Sequence, residues 1–336
     1  MDSEKYLITG AGGQLGHALQ KELGGPEGFA LSRTREALDI TDREALEAWI
    51  PSTRPDAIVN CAAYTDVNGA EVDREACWAV NVQGTLNLAE IALKQDIPFF
   101  HISSDFVFGA DRGRLQPDSP VDESHPDYVS LDVLRQQLEY SEAALVGPCG
   151  YYAGTKAAAE HALLHLAAEN PRFEYYIIRT AGLFEKPWRT QRNFLHAITD
   201  RINRSNGDVP VVNDVYTNLC SAEDLAQVIV WMLKNREEWG SDGPTCPKGI
   251  YHVTNEGVVT WYEVARYVAR KIGHAGRVVP TSRHDYAASQ DQDPDSAPSY
   301  TALSGAKYRS LSGPPMPAWQ KAVDVWIDES ATYFAK

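Results

Sequence analysis

The feature that most restricts this chain is a run of glycines close to its start. Thr9-Gly10-Ala11-Gly12-Gly13-Gln14-Leu15-Gly16 follows an apolar stretch, Tyr6–Thr9, that reads as a strand. It opens Gln14–Glu22, which reads as a helix. Strand, tight turn and helix in that order make the first unit of a parallel sheet. Gly10, Gly13 and Gly16 give the spacing GxxGxxG. Glycine at such a turn lets the backbone approach a pyrophosphate, and the helix N-terminus adds N–H donors and a partial positive charge. The last glycine lets helix and sheet pack closely. A ligand-free tight turn would use the same residue type, but the strand–turn–helix context favours the dinucleotide reading.

The alternation continues. Residues 29–32, 57–61, 99–103 and 175–179 read as further strands, and 70–94 and 153–169 as helices between them. These crossovers are long enough for the right-handed connections that parallel strands need. After Arg179 the pattern breaks into two polar, aromatic-containing segments, around 184–221 and 257–336. One more helix and strand, 223–234 and 250–253, lie between them. The expectation is an α/β fold, a Rossmann-type doubly wound parallel sheet with a smaller C-terminal substrate-binding lobe. Residues 1–183 plus 222–256 would form the dinucleotide-binding domain, and 184–221 plus 257–336 the lobe over the C-terminal sheet edge, where such folds bind ligands. The acidic stretch 290–299, QDQDPDSAPS, reads as a loop.

Composition excludes several classes. A net charge of −15 disfavours nucleic acid, which needs a positive field. No stretch is apolar for long enough to span a bilayer, and the first residues lack the basic-then-apolar pattern of a signal peptide. The five cysteines are scattered without CxxC spacing, which argues against a metal site or a disulfide framework and for a reducing, cytoplasmic setting.

Two features bear on the cofactor. Arg33 and Arg35 close the second strand where an NAD enzyme would carry an acidic residue. Arginine there can pair with the 2′-phosphate of NADP, or simply form a solvated basic turn. NADP(H) is therefore favoured, with NAD(H) as the alternative. Asp39, beside Ile40, can accept from an adenine amino group, with Thr41 or Asp42 left to cap the next helix.

The chemistry centres on Tyr152 and Lys156, four apart and so on one face of a helix. A lysine ammonium beside the phenol would lower its pKa and fit it for general acid work. YxxxK alone also describes an ordinary surface pair. Its position after the strand that ends His101-Ile102-Ser103-Ser104-Asp105 decides the matter, because a serine there can donate to a carbonyl oxygen as charge develops. Asp105 reads equally as a proton shuttle or as a residue that holds its loop. Lys186, Arg189 and Arg192 form a basic cluster suited to substrate phosphates or to a solvated face.

With these segments in place, the chain resembles the extended short-chain dehydrogenase/reductases, and among them the dTDP-4-dehydrorhamnose reductase family. The matching stretches are LITGAGGQLG (7–16), LDITD (38–42), VNCAAYTDV (59–67), VNVQGTLNLA (80–89), HISSDFVF (101–108), YAGTKAAAE (152–160) and IIRT (177–180). Asn193-Phe194, SAEDLA (221–226) and YHVTNEGVVTWYEVA (251–265) extend the likeness. The resemblance implies hydride transfer to the keto group of a nucleotide-linked deoxysugar. Ser104, Tyr152 and Lys156 stand at the family's catalytic positions. Gly10, Gly13, Gln14, Leu15, Gly16, Cys61 and Ser103 would line the cofactor, with Asn60, Ala62, Ala63 and Tyr64 on its nicotinamide side. Phe106, Val107 and Asn193 would face the substrate, Asn81 would be structural, and a homodimer is compatible with the resemblance.

The departures are specific. Ser104 and Tyr152 stand further apart than is usual, and residues 127–147 of that interval have near-helical apolar spacing, which suits a helix by the substrate mouth or a partner surface. The family's tryptophan after Arg-Thr-Ser is absent in Arg179-Thr180-Ala181-Gly182, its Gly-Ser-Pro-Thr is Thr217-Asn218-Leu219-Cys220, and its late Arg-Pro is Ala297-Pro298. Two other readings remain: a non-catalytic regulatory subunit like that of methionine adenosyltransferase, and a nucleotide-sugar epimerase or dehydratase.

Overall fold

A computed structural model describes residues 4–24, 30–109, 135, 138–185, 193–236, 239–240, 243–274, 278–290, 293 and 297–334. The strands in chain order are β1 Tyr6–Thr9, β2 Ala30–Arg33, β3 Ala57–Asn60, β4 Phe99–Ser104, β5 Tyr175–Thr180, β6 Leu183–Phe184 and β7 Val209–Val212. They continue with β8 Tyr216–Thr217, β9 Cys220–Ser221, β10 Trp239–Gly240, β11 Gly243–Pro244, β12 Gly249–His252, β13 Val259–Thr260 and β14 Val278–Thr281.

Six of these form one sheet in the order β12-β5-β4-β3-β1-β2, with every pairing parallel. Strand residues alternate between two cores, as a period of two requires when both faces are covered. Ile8, Val59, Phe100 and Ile178 pack under Leu225, Ile229 and Leu233 of the helix Ala222–Asn235. Leu7, Ile58, Phe99 and Ile177 pack on the other face against Leu46, Ile50, Leu88 and Leu163. The chain order reverses between β1 and β3, and the crevice beyond their carboxyl ends is where such sheets bind ligands.

The stretch 70–94 is not one helix. It is divided into Val67–Val72, Arg74–Trp78, a π-helical turn Ala79–Gly84 and Thr85–Lys94. Asp66 and Asp73 cap the first two pieces through their carboxylates, accepting from Gly69 N and Ala76 N, and restart the helix each time. The helix that carries Tyr152 and Lys156 runs Tyr151–Glu169, two residues longer than the spacing predicts. Gly150, at φ 80°, turns the chain into it, and Tyr151 N is capped from a distance by Glu71 Oε1 at 2.6 Å.

The segments after β5 contain more regular structure than their polarity suggests. β7 and β14 pair in parallel, and Ile198, Ile202, Val209 and Val211 pack against Ala265, Ala269 and Val278. The C-terminal helix Trp319–Phe334 brings Trp319, Val323 and Trp326 against Phe184, Leu219 and Val264.

Ten of the 21 residues of the expected helix in 127–147, all of them before 138, lie outside the described residues. Its described end, from 138, is turn and extended chain. Tyr140 pairs through its backbone with Ala302 and Ser304, and its ring stacks on Phe108 at 4.2 Å. Half of the acidic stretch 290–299 also lies outside the described residues. No described helix is long and apolar enough to cross a membrane.

Candidate active site

A cleft of about 1160 Å³ opens at the β1/β3 switch point. It exceeds the usual size of a single small-molecule pocket, and so has room for a dinucleotide and a second ligand. Its floor begins at the glycine turn. Gly10 has φ 63°, and a Cβ there would lie 2.6 Å from Ala62 N, so the β1 and β3 loops come close only because position 10 has no side chain. The helix after the turn begins at Gly13 with no side-chain cap. The free N–H groups of its first turn are therefore available to an anion in the cleft, which is what a pyrophosphate requires.

Gly10, Gly13, Gln14, Leu15, Gly16, Arg35, Asp39 and Ile40 line one end of the cleft. Asp39 accepts from Thr41 N at 2.9 Å and from Arg35 Nε at 3.2 Å. Burial works to raise its carboxyl, but the bonds from Thr41 and Arg35 outweigh it and hold the group below the ordinary carboxylate range. Asp42 caps the helix Arg43–Thr53, which leaves Asp39 facing the cleft. The Arg33 side chain and Lys186, Arg189 and Arg192 lie outside what the structure describes.

Cys61, Ala62, Ala63 and Tyr64 form the middle wall. Asn81, in the π-helical turn, accepts from Tyr64 N at 2.8 Å and donates to Tyr64 O at 3.2 Å and Thr155 Oγ1 at 3.0 Å. It ties this wall to the helix Tyr151–Glu169. Burial pushes the Cys61 thiol up to about 12, so it stays protonated.

Ser103, Ser104, Asp105, Phe106, Tyr152 and Lys156 face the same cleft. The expected lowering of the Tyr152 pKa is not what the structure shows. Burial raises the phenol to about 12, with Asp105 and Cys77 adding to the rise and hydrogen bonding with Ser104 opposing it. Lys156 is occupied elsewhere: Nζ donates to Ile102 O at 2.8 Å and lies 3.4 Å from His101 Nε2. Burial depresses Lys156 itself to about 8, against the pull of Glu160. A phenol that remains protonated is suited to giving a proton to a much stronger base such as a nascent alkoxide.

Ser104 Oγ donates to Asp105 Oδ1 at 3.1 Å. Asp105 Oδ2 accepts from Thr217 Oγ1 at 3.0 Å and from Thr301 Oγ1. Nothing in the sequence marked these two threonines, because only the fold brings residues 217 and 301 to residue 105. Burial raises the Asp105 carboxyl to about 6 despite the bonds from Thr301, Thr217 and Ser104. A carboxyl that binds a proton more tightly when folded stabilises the fold below its unfolded pKa of about 3.9. That contribution is lost as pH rises through the folded value. Relative to Asp105→Asn, wild-type stability should fall by on the order of 2–3 kcal/mol between about pH 4 and 7. Denaturant unfolding of both proteins at steps across that range measures it, and parallel curves would remove Asp105 as the titrating group.

The structure places two of the expected substrate residues away from the cleft wall. Val107 ends a short 3₁₀ turn, Asp105–Val107, that points it inward; it is fully buried beside Phe108 and Tyr140 rather than in the cleft wall. Asn193 caps the helix Phe194–Arg204, accepting from His196 N at 2.9 Å, and its amide is turned to Glu185 O. Trp261, which was not expected, does line the cleft.

Beneath Ser103 lies a buried ion pair. Arg179 Nη2 lies 2.6 Å from Glu160 Oε2, both side chains are almost fully buried, and Ser103 Oγ donates to Glu160. Glu160 stands four residues after Lys156 on the same helix face, a spacing visible in the sequence.

A family model described as "RmlD substrate binding domain" matches residues 4–332. A dTDP-4-dehydrorhamnose reductase of Mycobacterium tuberculosis is 32% identical over 96% of this chain and 91% of its own length. The chain belongs to the dTDP-4-dehydrorhamnose reductase family. A further member, the dTDP-4-keto-6-deoxy-D-glucose reductase of Streptomyces niveus, is 30% identical over 96% of both chains. The dTDP-4-dehydrorhamnose reductase of Bacillus anthracis, solved in complex with NADP, superposes with a TM-score of 0.77 at 26% identity, covering 97% of this chain and 99% of that one. Ser104, Tyr152 and Lys156 are brought by the fold to one cleft.

Proposed function

We propose that this chain reduces the keto group of a dTDP-linked deoxysugar with NADPH, NADH serving less well. One observation carries the reading: the proton-donating group Ser104-Tyr152-Lys156 and the glycine turn face a single cleft large enough for two ligands. When bound, the reduced nicotinamide supplies a hydride to the carbonyl carbon. Tyr152 gives its phenolic proton to the carbonyl oxygen, and Ser104 Oγ hydrogen-bonds that oxygen as its charge grows. Tyr152 then regains a proton along Ser104 from Asp105, whose pKa near 6 lets it exchange protons close to neutrality. Gly10, Gly13, Gln14, Leu15 and Gly16 would hold the pyrophosphate, Arg33 and Arg35 the 2′-phosphate, Asp39 and Ile40 the adenine, and Cys61 to Tyr64 the nicotinamide. Lys186, Arg189 and Arg192 would meet the nucleotide phosphates of the sugar.

The division into a dinucleotide-binding domain (1–183 plus 222–256) and a substrate lobe (184–221 plus 257–336) belongs to this proposal. So do a homodimeric state and a cytoplasmic setting, the latter supported by five cysteines that are all free thiols. The test is oxidation of NADPH, followed by absorbance, with dTDP-4-keto-6-deoxysugars, and NADH run in parallel. Turnover with NADPH preferred is the expected result. Tight NADPH binding with no turnover on any keto sugar would favour the regulatory-subunit reading, and a redox-neutral change of the sugar an epimerase or dehydratase.

A further inference from the structure

Under Lys156 lies a chain of buried polar groups that the proposed proton transfer to the sugar does not use. Asn60, at the end of β3, and His101, in β4, are completely buried, and Lys156 is nearly so. Asn60 Oδ1 accepts from Thr9 Oγ1 at 2.7 Å and from Ala62 N at 3.2 Å. A backbone N–H can only donate, so the atom facing Ala62 is the amide oxygen and the other atom is the NH₂ group. That group donates to Thr85 Oγ1 at 3.2 Å and faces His101 Nδ1 at 3.4 Å. Thr85 Oγ1 in turn donates to Asn81 O at 2.8 Å, so the direction of the whole chain is fixed. An amide N–H aimed at Nδ1 makes that nitrogen the acceptor. The neutral imidazole then carries its hydrogen on Nε2, which lies 3.4 Å from Lys156 Nζ.

We propose that His101 is a positioning residue for Lys156: held by Asn60 as the Nε2–H tautomer, it presents a donor to Nζ and so favours the neutral amine. An ammonium has hydrogens and no lone pair, so it meets Nε2–H as donor against donor. An amine can accept from it while still donating to Ile102 O. Burial keeps His101 itself uncharged, and the adjacent Lys156 acts in the same direction. The other titratable groups acting on Lys156 are Glu160 on its own helix, Cys77 across the π-helical turn and Cys61 at the end of β3. All three favour the ammonium, and burial opposes them. His101 therefore adds to burial, and places the charge change of a catalytic lysine close to physiological pH.

The inference rests on the catalytic reading of Lys156, but its first test does not. Nitrogen-15 long-range correlation spectra of the imidazoles, recorded on the intact protein without ligands, report which ring nitrogen carries hydrogen. His101 should show a protonated Nε2 and an unprotonated Nδ1, unchanged across the neutral range; a protonated Nδ1 would overturn the proposal. The second test replaces His101 by glutamine, whose side-chain oxygen can turn to the ammonium. The alkaline limb of kcat/KM should then move upward by about one pH unit, the size of one hydrogen bond's net worth. A limb at the wild-type position in a folded His101→Gln protein would also overturn it. Loss of all sugar reduction in the wild type, with the Nε2–H tautomer intact, would refute the reductase reading and leave the tautomer assignment standing.

Discussion

In Tyr152→Phe, kcat should fall by about 10³-fold, within the range that a positioned general acid supplies and equivalent to about 4 kcal/mol of barrier. NADPH affinity should stay close to wild type, because the ring remains and only the hydroxyl is lost. The expected silence of binding is as informative as the loss of rate. Phe106 meets the Tyr152 ring edge-on at 5.9 Å, a contact that phenylalanine keeps. Stopped-flow single turnovers, with fluorescence titration of NADPH, separate the two quantities. A mutant that reduces substrate at the wild-type rate would remove Tyr152 from the mechanism, and one that no longer binds NADPH would give it a binding role instead.

Glu160→Gln should cost about 3–5 kcal/mol of stability, the usual penalty for leaving one member of a buried ion pair without its counter-charge. Arg179 would be the stranded group. Its Nη1 lies 3.2 Å from His252 Nε2 and its guanidinium sits over the Phe108 ring, so among the described residues it meets no second carboxylate to replace Glu160. Replacing both partners with methionine should restore much of the loss, since no unpaired charge remains. Denaturant melts of the two single variants and the double variant measure this. A Glu160→Gln protein with the wild-type midpoint would show that the pair contributes nothing.

The parts of the site that could be read in the sequence are those fixed by local geometry. GxxGxxG after a strand, and tyrosine and lysine one helical turn apart, carry their spatial relation in their spacing. Glu160 could have been found in the same way, four positions beyond Lys156. What could not be read depended on direction or on distant segments. Val107 follows Ser104 by three positions, and only the 3₁₀ turn decides that it points inward. Asn193 looked like a substrate ligand, but an asparagine one residue before a helix is equally a cap, and here the helix claims it. The pairwise tyrosine–lysine rule points the wrong way for the phenol, because burial outweighs it and because Nζ is turned to Ile102. The segments after β5 read as irregular because their strands are short and their apolar partners lie far along the chain.

That last property bears on how the molecule is made. β7 pairs with β14, and the apolar faces of Ile198, Ile202 and Val211 are covered by residues 265–278. A ribosome delivers the two halves of this small core well apart in time, with sheet strand β12 emerging between them. The parallel sheet can assemble up to β5 while the first half of this small core waits uncovered, and non-local pairings of this kind are slow to close. Between synthesis of residue 212 and of residue 281 these apolar faces lack the partner that covers them in the fold, which leaves them exposed in the nascent chain.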